Sequence, residues 1–317
     1  MSKVTRNAPK RSSASESRLA LFEFERDFPD DATCLDYLVK MLYPNGIYCP
    51  TCKRVTKHHR DRKRPSYACQ FCGHREHPMV GTIFQDSATS LRLWFYAIYL
   101  MISTRCGVSA KQLERELGVT YKTAWRMFSK IRSLLKQAAD EQMGGTLEMD
   151  EAYIGGKRRD RTGRPGRGDP KKMPVFGIAE RGQDGQPGRI VAKVVPDVRT
   201  KSLMPIVKER VFPSSVVYTD EYQSYATLAG MGFKHSRIHH SQKVYVMGDV
   251  HTNTIDGFWA LLKHGISGVY HGVSSKWLQA YLDEYAFRYN NQGREMFTAV
   301  LSRVRKASAE SASGPHA

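Results

Sequence analysis

The N-terminal third of the chain carries two pairs of cysteines, and each pair is spaced as Cys-x-x-Cys. The pairs are Cys49 with Cys52 and Cys69 with Cys72, and sixteen residues separate them. Two turns that each present two thiolates supply four soft ligands in tetrahedral geometry, and they leave no open position for water or substrate. The spacing therefore predicts a zinc ribbon in which the metal stabilises the fold and takes no part in catalysis.

Other uses of these cysteines fit the rest of the sequence less well. Two disulfides would require an oxidising compartment, but the first eighteen residues are polar and basic and lack the apolar core of a signal peptide. The remaining cysteines, Cys34 and Cys106, lie in apolar helical surroundings, which predicts a reducing, cytoplasmic compartment. Nearby histidines offer alternative zinc ligands: His58, His59, His74 and His77.

The charge of the chain indicates a polyanionic partner. Forty-nine Lys and Arg residues against 31 Asp and Glu residues give a formal net charge of +18, which favours nucleic acid. The 317 residues allow two or three domains. The apolar run Leu91 to Ile102 contains Arg92 and is too short to cross a bilayer, so it predicts a buried helix and no membrane partner.

A helix and a basic stretch frame the cysteine pairs. Asp30 and Asp31 are placed to cap a helix that ends at Pro44-Asn45-Gly46. The residues between the two pairs form a basic surface that either contacts phosphates or is only solvated. Its basic residues are Lys53, Arg54, Lys57, Arg60, Arg62, Lys63 and Arg64.

A helix-turn-helix pattern follows the apolar helix. Ser109 and Gln112 form a capping box that starts one helix, Gly118 breaks it, and a second helix starts at Thr120. Such a second helix can enter a major groove, although helical hairpins that only pack together are common. The side chains that would contact DNA are Tyr121, Lys122, Arg126 and Lys130.

From Gly144 onwards the apolar pattern becomes that of strands. The predicted order is strand 146–154, strand 175–180, strand 189–195, helix 200–211 and strand 215–219. If the first three strands form an antiparallel meander and the helix is a right-handed crossover, the fourth strand lies parallel to the first. Their carboxyl ends then adjoin, and these ends carry Asp150 and Asp220.

A pair of carboxylates in this position suits Mg²⁺, and a third ligand is expected from another segment. A later helix, capped at residues 252–254, carries Asp256 in its first turn and Lys263 seven residues on, so both lie on one face. A carboxylate in a first helical turn is also stabilised by the helix dipole alone. The residue types thus allow a metal ligand or a purely structural acid at Asp256.

Several motifs together resemble bacterial insertion-sequence transposases related to the Merlin elements. The likeness runs from about Phe28 to Phe297 and includes the cysteine pairs and the helix-turn-helix. Its most specific segments are Leu147-Glu-Met-Asp-Glu-Ala-Tyr-Ile-Gly-Gly-Lys157, Tyr218-Thr-Asp-Glu221, His251-Thr-Asn-Thr-Ile-Asp-Gly-Phe-Trp259 and Tyr285-Ala-Phe-Arg-Tyr-Asn290. The resemblance implies an α/β fold: an N-terminal zinc ribbon and helix-turn-helix, then an RNase H-like catalytic domain with a mixed five-stranded sheet flanked by helices.

The resemblance also assigns roles to residues. Asp150 and Asp220 take the first two positions of a DDE-type triad that binds Mg²⁺ or Mn²⁺, in preference to their neighbours Glu151 and Glu221. Asp256 stands where the family usually has Glu or Asn, and Lys263 matches the basic residue that follows. Asn253 is the reserve ligand. Glu148 shares a strand face with Asp150.

Arginine and lysine are dense between the first two predicted strands, in residues 155–174. Lys157, Arg158 and Arg159 would lie along DNA next to the active site, or would belong to a solvated loop. Near the end of the likeness, Arg288 is the better candidate for a phosphate contact, although the aromatic residues Tyr285, Phe287 and Tyr289 around it indicate a helix packed on the sheet. The predicted organisation is a basic tail 1–18, a helix plus zinc ribbon 19–86, a helix-turn-helix region 87–143, a catalytic domain 144–306 and a tail 307–317.

The predicted function is that of a DNA transposase. The protein would bind the terminal inverted repeats of its insertion sequence, free a 3′ hydroxyl by metal-dependent cleavage and join it to target DNA. It would act on double-stranded DNA as a homo-oligomer, because two ends must be brought together, in the cytoplasm at the nucleoid. The alternatives are an RNase H-like nuclease without joining activity and a decayed, non-catalytic DNA-binding repressor.

Overall fold

The structure is a computed structural model of the chain. It describes residues 19–104, 106–137, 142–155, 172–182, 188–238, 249–292 and 295–304. The predicted DNA contacts Lys157, Arg158 and Arg159 lie outside these residues. Within them, no helix has both the length and the apolar character needed to cross a membrane.

The chain divides into two compact units. One comprises the residues up to Leu134 together with those from Gly293 onwards, and the other runs from Leu135 to Gln292. This division differs from the predicted boundaries, which placed residues 293–306 in the catalytic domain. The difference arises because Phe297 packs its ring against Phe24, Phe28 and Phe95 of the first unit.

The first unit combines short helices with the predicted ribbon. Its elements are α1 (Leu21–Asp27), α2 (Asp31–Leu42), β1 (Ile47–Cys49), β2 (Arg54–Thr56), β3 (His58–Arg60), β4 (Tyr67–Cys69), β5 (Arg75–Glu76), α3 (Leu91–Ser103), α4 (Ala110–Leu117), α5 (Tyr121–Leu134) and α9 (Met296–Leu301). Asp30 caps α2 through a 2.7 Å bond from the Thr33 amide. The ribbon consists of the β1–β2 hairpin and the antiparallel sheet β3–β4–β5.

The helical pair α4 and α5 forms where the capping signals place it. The Ser109 hydroxyl accepts the amide of Gln112 at 3.1 Å, and Gly118 ends α4 with a φ of 63°, in the left-handed region that favours glycine. The Thr120 hydroxyl accepts the amide of Thr123 at the start of α5. The apolar face of α5 is buried through Ala124, Met127, Phe128 and Ile131.

The second unit is a mixed five-stranded sheet with helices on both faces. Its elements are β6 (Thr146–Ile154), β7 (Met173–Glu180), β8 (Ile190–Val194), α6 (Thr200–Arg210), β9 (Val216–Thr219), β10 (Lys234–Arg237), α7 (Asn253–Gly265) and α8 (Ser275–Asn290). The strand order is β10-β9-β6-β7-β8. Strands β6, β7 and β8 form the antiparallel meander, and β9 runs parallel to β6. The predicted fold class is therefore confirmed.

Each face of the sheet has its own apolar core. Leu147 and Met149 of β6 pack with Leu203 and Val207 of α6. On the opposite face, Ala152 and Ile154 belong to a core that includes Ile255, Trp259 and Leu262 of α7 and Leu282 of α8. Because strand side chains alternate between faces, even-numbered residues of β6 face α7 and odd-numbered residues face α6.

Side-chain amides complete the outer edge of β8. Asn290 accepts the amide of Ile190 at 2.7 Å and donates to its carbonyl at 3.0 Å. Gln137 makes the same pair of contacts with Ala192, and Gln279 accepts the amide of Val194. These amides take the place of a neighbouring strand, so the backbone groups of the edge are satisfied and do not offer a template for strand addition.

Candidate active site

Asp150 lies near the middle of β6 on the face that α7 covers. Its neighbour Glu151 points to the opposite face, where the hydroxyl of the buried Tyr225 donates to it at 2.8 Å. Burial, followed by the charges of Glu151 and Asp150, raises the pKa of Tyr225, which keeps that hydroxyl protonated. Only Asp150 of this acidic pair therefore shares a side of the sheet with α7.

Asp220 immediately follows β9, the parallel neighbour of β6. Glu148 pairs with Tyr218 in the register of these strands, so continuing it by two residues sets Asp220 level with Asp150. The Asp220 carboxylate accepts the amide of Tyr222 at 2.9 Å, which fixes it in a turn. The strand order thus brings together two acids that are seventy residues apart in sequence.

Asp256 occupies the first turn of α7, where its carboxylate accepts the Thr252 hydroxyl at 3.1 Å. Its charge reaches Asp150: burial is the main cause that raises the pKa of Asp150 to about 8, and the charges of Glu151, Asp256 and Asp220 add to it. Within the described residues, no lysine or arginine forms an ion pair with these three aspartates. Among the residues that the structure describes, no ion pair balances the negative charge of these aspartates.

The spacing of the carboxylates is wider than that of a closed metal cluster. Among the described residues, the four ribbon cysteines are the only group of three or more potential ligands whose atoms all lie within 4.8 Å of one another. Lys263 is exposed two turns beyond Asp256 on α7, and Asn253 is exposed at the first position of the helix. Asp220 is level with Asp150 on the neighbouring strand, and the charges of Asp220 and Asp256 act on Asp150.

A network anchored on Glu148 fixes the start of α7, and only part of it has a sequence signal. The Glu148 carboxylate is fully buried and accepts Arg181 Nε at 2.7 Å. It also accepts the amides of Thr254 and Ile255. The alternation of β6 places Glu148 on the face of Asp150, but no local pattern identifies Arg181, which directly follows β7.

Gly177 lies opposite Asp150 on β7 and allows α7 to approach the sheet. A Cβ atom at this position would lie 2.6 Å from a Trp259 ring carbon and 2.8 Å from Ile255 Cδ1. We expect Gly177→Ala to reduce the free energy of unfolding of this unit by about 2 kcal/mol, because α7 must move outward. Urea denaturation measures the change.

The matched control for this substitution is Gly230→Ala. A Cβ atom added to Gly230 meets no other atom within 4 Å, so this variant should keep the stability of the parent within about 0.5 kcal/mol. Equal stabilities for Gly177→Ala and the parent would show that the packing of α7 on the sheet does not require glycine at position 177.

The predicted DNA contacts on α5 differ in their availability. Tyr121 and Lys122 are exposed, and Lys111 lies over the Tyr121 ring at 5.0 Å. In contrast, Arg126 donates to the Ser87 hydroxyl at 3.3 Å, and Lys130 donates to the Ile83 carbonyl at 3.2 Å. Both side chains are half-buried, so only the start of α5 presents free polar groups.

The expectation of a phosphate contact at Arg288 is wrong. The Arg288 side chain is 5% exposed, and its guanidinium donates to the completely buried Glu284 at 2.7 Å, one helical turn away. The apolar neighbours in α8 bury this pair in the core of the second unit. The aromatic residues Tyr285, Phe287 and Tyr289 are the sequence signal for this packing, whereas an i, i+4 pair of charges is equally typical of an exposed helix face.

The four ribbon cysteines form one compact cluster. The sulfurs of Cys49 and Cys72 are 3.5 Å apart, and those of Cys52 and Cys69 are 3.9 Å apart. Tetrahedral zinc with bonds of about 2.3 Å separates its sulfur ligands by about 3.8 Å. The Thr56 hydroxyl at 3.2 Å lowers the pKa of Cys69 to about 5, which favours the thiolate. The cluster fits a structural zinc ion.

Comparison with known proteins agrees with these features. Residues 142–290 match the family model of the ISXO2-like transposase domain, and residues 29–75 match the transposase zinc-ribbon domain. An uncharacterized protein in transposable element ISH50 of Halobacterium salinarum is 31% identical over 294 residues, which cover 87% of this chain and 97% of that protein. The chain belongs to the ISXO2-like transposase family. The resemblance to insertion-sequence transposases is thus confirmed.

A second relative of the transposase covers less of it. An uncharacterized transposase-like protein of Haemophilus influenzae is 32% identical over 120 residues, which are 38% of this chain and 96% of that protein. The two family matches of the transposase contain the cysteine cluster and the three aspartates, respectively. The matches establish the family, whereas the roles of the individual aspartates stay predictions.

Proposed function

We propose that this transposase cleaves DNA at the ends of its insertion sequence and joins the freed 3′ ends to target DNA. The observation that supports the proposal is electrostatic: the charges of Asp220 and Asp256 act on Asp150, which the strand register sets level with Asp220. Asp150 is half-buried, and among the described residues no lysine or arginine forms an ion pair with the three aspartates. A cluster of hard anionic oxygens of this kind favours a divalent cation.

The aspartates fit Mg²⁺ or Mn²⁺ by the chemistry of their oxygens and by a negative charge that no ion pair of the described residues balances. When bound, such ions activate an attacking oxygen and stabilise the leaving one during phosphoryl transfer. In this proposal Asp150 and Asp220 hold the ions and Asp256 completes the site, with Asn253 as the reserve ligand. Lys263, exposed on the same helix, neutralises charge on the phosphate and positions the strand.

The first unit would hold the DNA. Its exposed groups at the start of α5, Tyr121 and Lys122, are suited to a groove or a phosphate, and the half-buried Arg126 and Lys130 would have to give up their present contacts to join them. Lys157, Arg158 and Arg159 would add affinity that depends on salt but not on sequence. Two ends must be paired, so we propose that the transposase works as a homo-oligomer, in the cytoplasm at the nucleoid.

The test is a joining assay with the purified transposase. A labelled duplex that carries the element's end is incubated with Mg²⁺ and a target plasmid, and cleaved and joined products are counted. Asp150→Asn, Asp220→Asn and Asp256→Ala should each lower both products at least about 1000-fold, since each removes a ligand charge. Asn253→Ala should leave most of the activity if Asp256 is the third ligand.

A neighbouring acid provides the control. Glu221→Gln changes a carboxylate next to Asp220 without touching the proposed ligands, so it should retain activity within about tenfold. Cleavage without joining in the parent protein would identify a nuclease. Specific binding of the duplex without any metal-dependent product would leave a DNA-binding protein and overturn the proposed activity.

A further inference from the structure

Glu148 is a charged side chain in a position where no solvent reaches it. Its relative exposure is 0%, and burial of an unpaired carboxylate is strongly unfavourable. The carboxylate is paired in full: one oxygen accepts Arg181 Nε at 2.7 Å and the Thr254 hydroxyl at 2.9 Å, and the other accepts the amide of Thr254 at 2.7 Å. The amide of Ile255 contributes a further bond at 3.1 Å.

These bonds replace a cap that α7 lacks in its own sequence. The first amides of a helix have no partner within the helix, and the residue before it usually supplies one. Thr252 occupies this position, but its hydroxyl accepts no amide of the helix and donates to the Asp256 carboxylate at 3.1 Å. Glu148 of the adjacent strand supplies the missing acceptor, and its charge is favourable at the positive end of the helix dipole.

Arg181 holds the segment that leads into α7. Its guanidinium donates to the Asp249 carbonyl at 2.6 Å and to the His251 carbonyl at 2.9 Å. It also lies 4.8 Å above the ring of Tyr218, which belongs to the strand that precedes Asp220. Glu148 and Arg181 therefore join β6, β9 and the entry to α7, the three elements that carry the three aspartates.

The contacts of Glu148 exclude it as a fourth ligand at the edge of the sheet. It faces the same side as Asp150, but both of its oxygens are occupied by donors and neither reaches solvent. Its influence on the site must pass through the helix that it caps. Asp256 lies in the first turn of α7, which Glu148 anchors. A shift of this turn by a fraction of an ångström therefore also moves Asp256.

We infer that Glu148, together with Arg181, is a positioning residue that sets the location of Asp256 and thereby the affinity of the site for a divalent cation. This inference rests on the proposed function. Glu148 anchors the first turn of α7, and within this turn the Thr252 hydroxyl orients the Asp256 carboxylate. Groups that orient metal ligands in this way commonly change metal affinity by about 10- to 100-fold when they are removed.

The experiment compares Glu148→Gln, Arg181→Gln and the double variant with the parent full-length protein. Mn²⁺ is the probe, and the site-specific binding is the part of the Mn²⁺ titration that Asp220→Asn abolishes. We expect each single variant to bind Mn²⁺ about tenfold or more weakly, with cleavage largely restored at high Mn²⁺. The Mn²⁺ affinity of the double variant should lie within about twofold of the affinities of the single variants, since the two residues act as one unit.

Hydrogen exchange of residues 249–258 tests the anchoring without any reference to catalysis. The amides of Thr254 and Ile255 should lose protection in Glu148→Gln. The matched control is Glu180→Gln, which breaks the pair of Glu180 with Arg189 at the end of β7. This variant should retain Mn²⁺ affinity and protection of α7, because Glu180 contacts Arg189 and Gly144 and not α7.

Two results overturn the inference: unchanged Mn²⁺ affinity in Glu148→Gln, or a loss of activity that excess Mn²⁺ does not restore while α7 stays protected. Failure of the proposed function is a different result. In that case the parent itself produces no metal-dependent cleavage, whereas the exchange of the α7 amides still shows whether Glu148 anchors the helix.

Discussion

Cys69→Ser will abolish zinc binding and unfold the ribbon. Cys69 is buried, ends β4 and lies within 4.8 Å of the other three sulfurs. The strands of the ribbon have two or three residues each, so they bury little apolar surface and depend on the metal. Binding of structural zinc contributes on the order of 10 kcal/mol to the folding of such small domains.

Zinc content per chain and hydrogen exchange of residues 47–76 measure this effect. We expect the parent to carry one zinc ion and the variant to lose both the ion and the protection of β1 to β5. Cys34→Ala is the control, because Cys34 is buried in α2 and does not belong to the cluster. A variant that keeps one zinc ion and a protected ribbon would show that a neighbouring histidine replaces the lost ligand.

Features that depend on neighbouring residues were predictable from the sequence. The cysteine spacing specifies the cluster, the cap at Ser109 and the left-handed Gly118 specify the helical pair, and the alternation of apolar residues specifies the strands. The adjacency of Asp150 and Asp220 needed one further step, the handedness of the crossover between parallel strands. These rules predicted four of the five strands, whereas β10 (Lys234–Arg237) was not predicted from the pattern and the five-stranded fold class came from the family resemblance.

Features that depend on contacts between distant residues were not predictable. Thr254 lies 106 residues after Glu148, and Asn290 lies 100 residues after the Ile190 backbone that it completes. No periodicity or spacing connects such positions. The same reason explains why α9 belongs to the first unit, since Phe297 packs against Phe24, Phe28 and Phe95, which are distant in sequence.

Asp150→Asn will stabilise the second unit in alkaline solution without Mg²⁺ or Mn²⁺. The pKa of Asp150 is about 8 in the folded protein and near 3.8 in the unfolded chain. Between these values the folded state binds one more proton than the unfolded state, so stability falls as pH rises, by about 1.4 kcal/mol per unit. Asparagine removes this dependence. Between pH 5 and pH 9 the free energy of unfolding of Asp150→Asn, relative to that of the parent, should grow by about 3 kcal/mol. This figure is reduced to allow for screening of the charge by solvent.

Asp197, whose pKa is lowered and not raised, provides the control. Hydrogen bonds from the Ser202 hydroxyl and the Arg199 amide lower the pKa of Asp197, so its contribution is lost only as the pH falls below the ordinary range of aspartate. Asp197→Asn should therefore differ from the parent by a constant amount between pH 5 and pH 9. Hydrogen exchange of residues 146–155 reports the opening free energy of each variant, with zinc retained in the ribbon.

The dependence on pH links the stability of the site to its proposed chemistry. A carboxylate that is unfavourable in the folded protein at pH 9 becomes favourable when a divalent cation balances its charge. Added Mg²⁺ should therefore stabilise the parent at pH 9 and leave Asp150→Asn unchanged. An advantage of Asp150→Asn that does not vary with pH would show that Asp150 is ionised at little cost, and the clustered charges would then no longer favour a cation at this edge of the sheet.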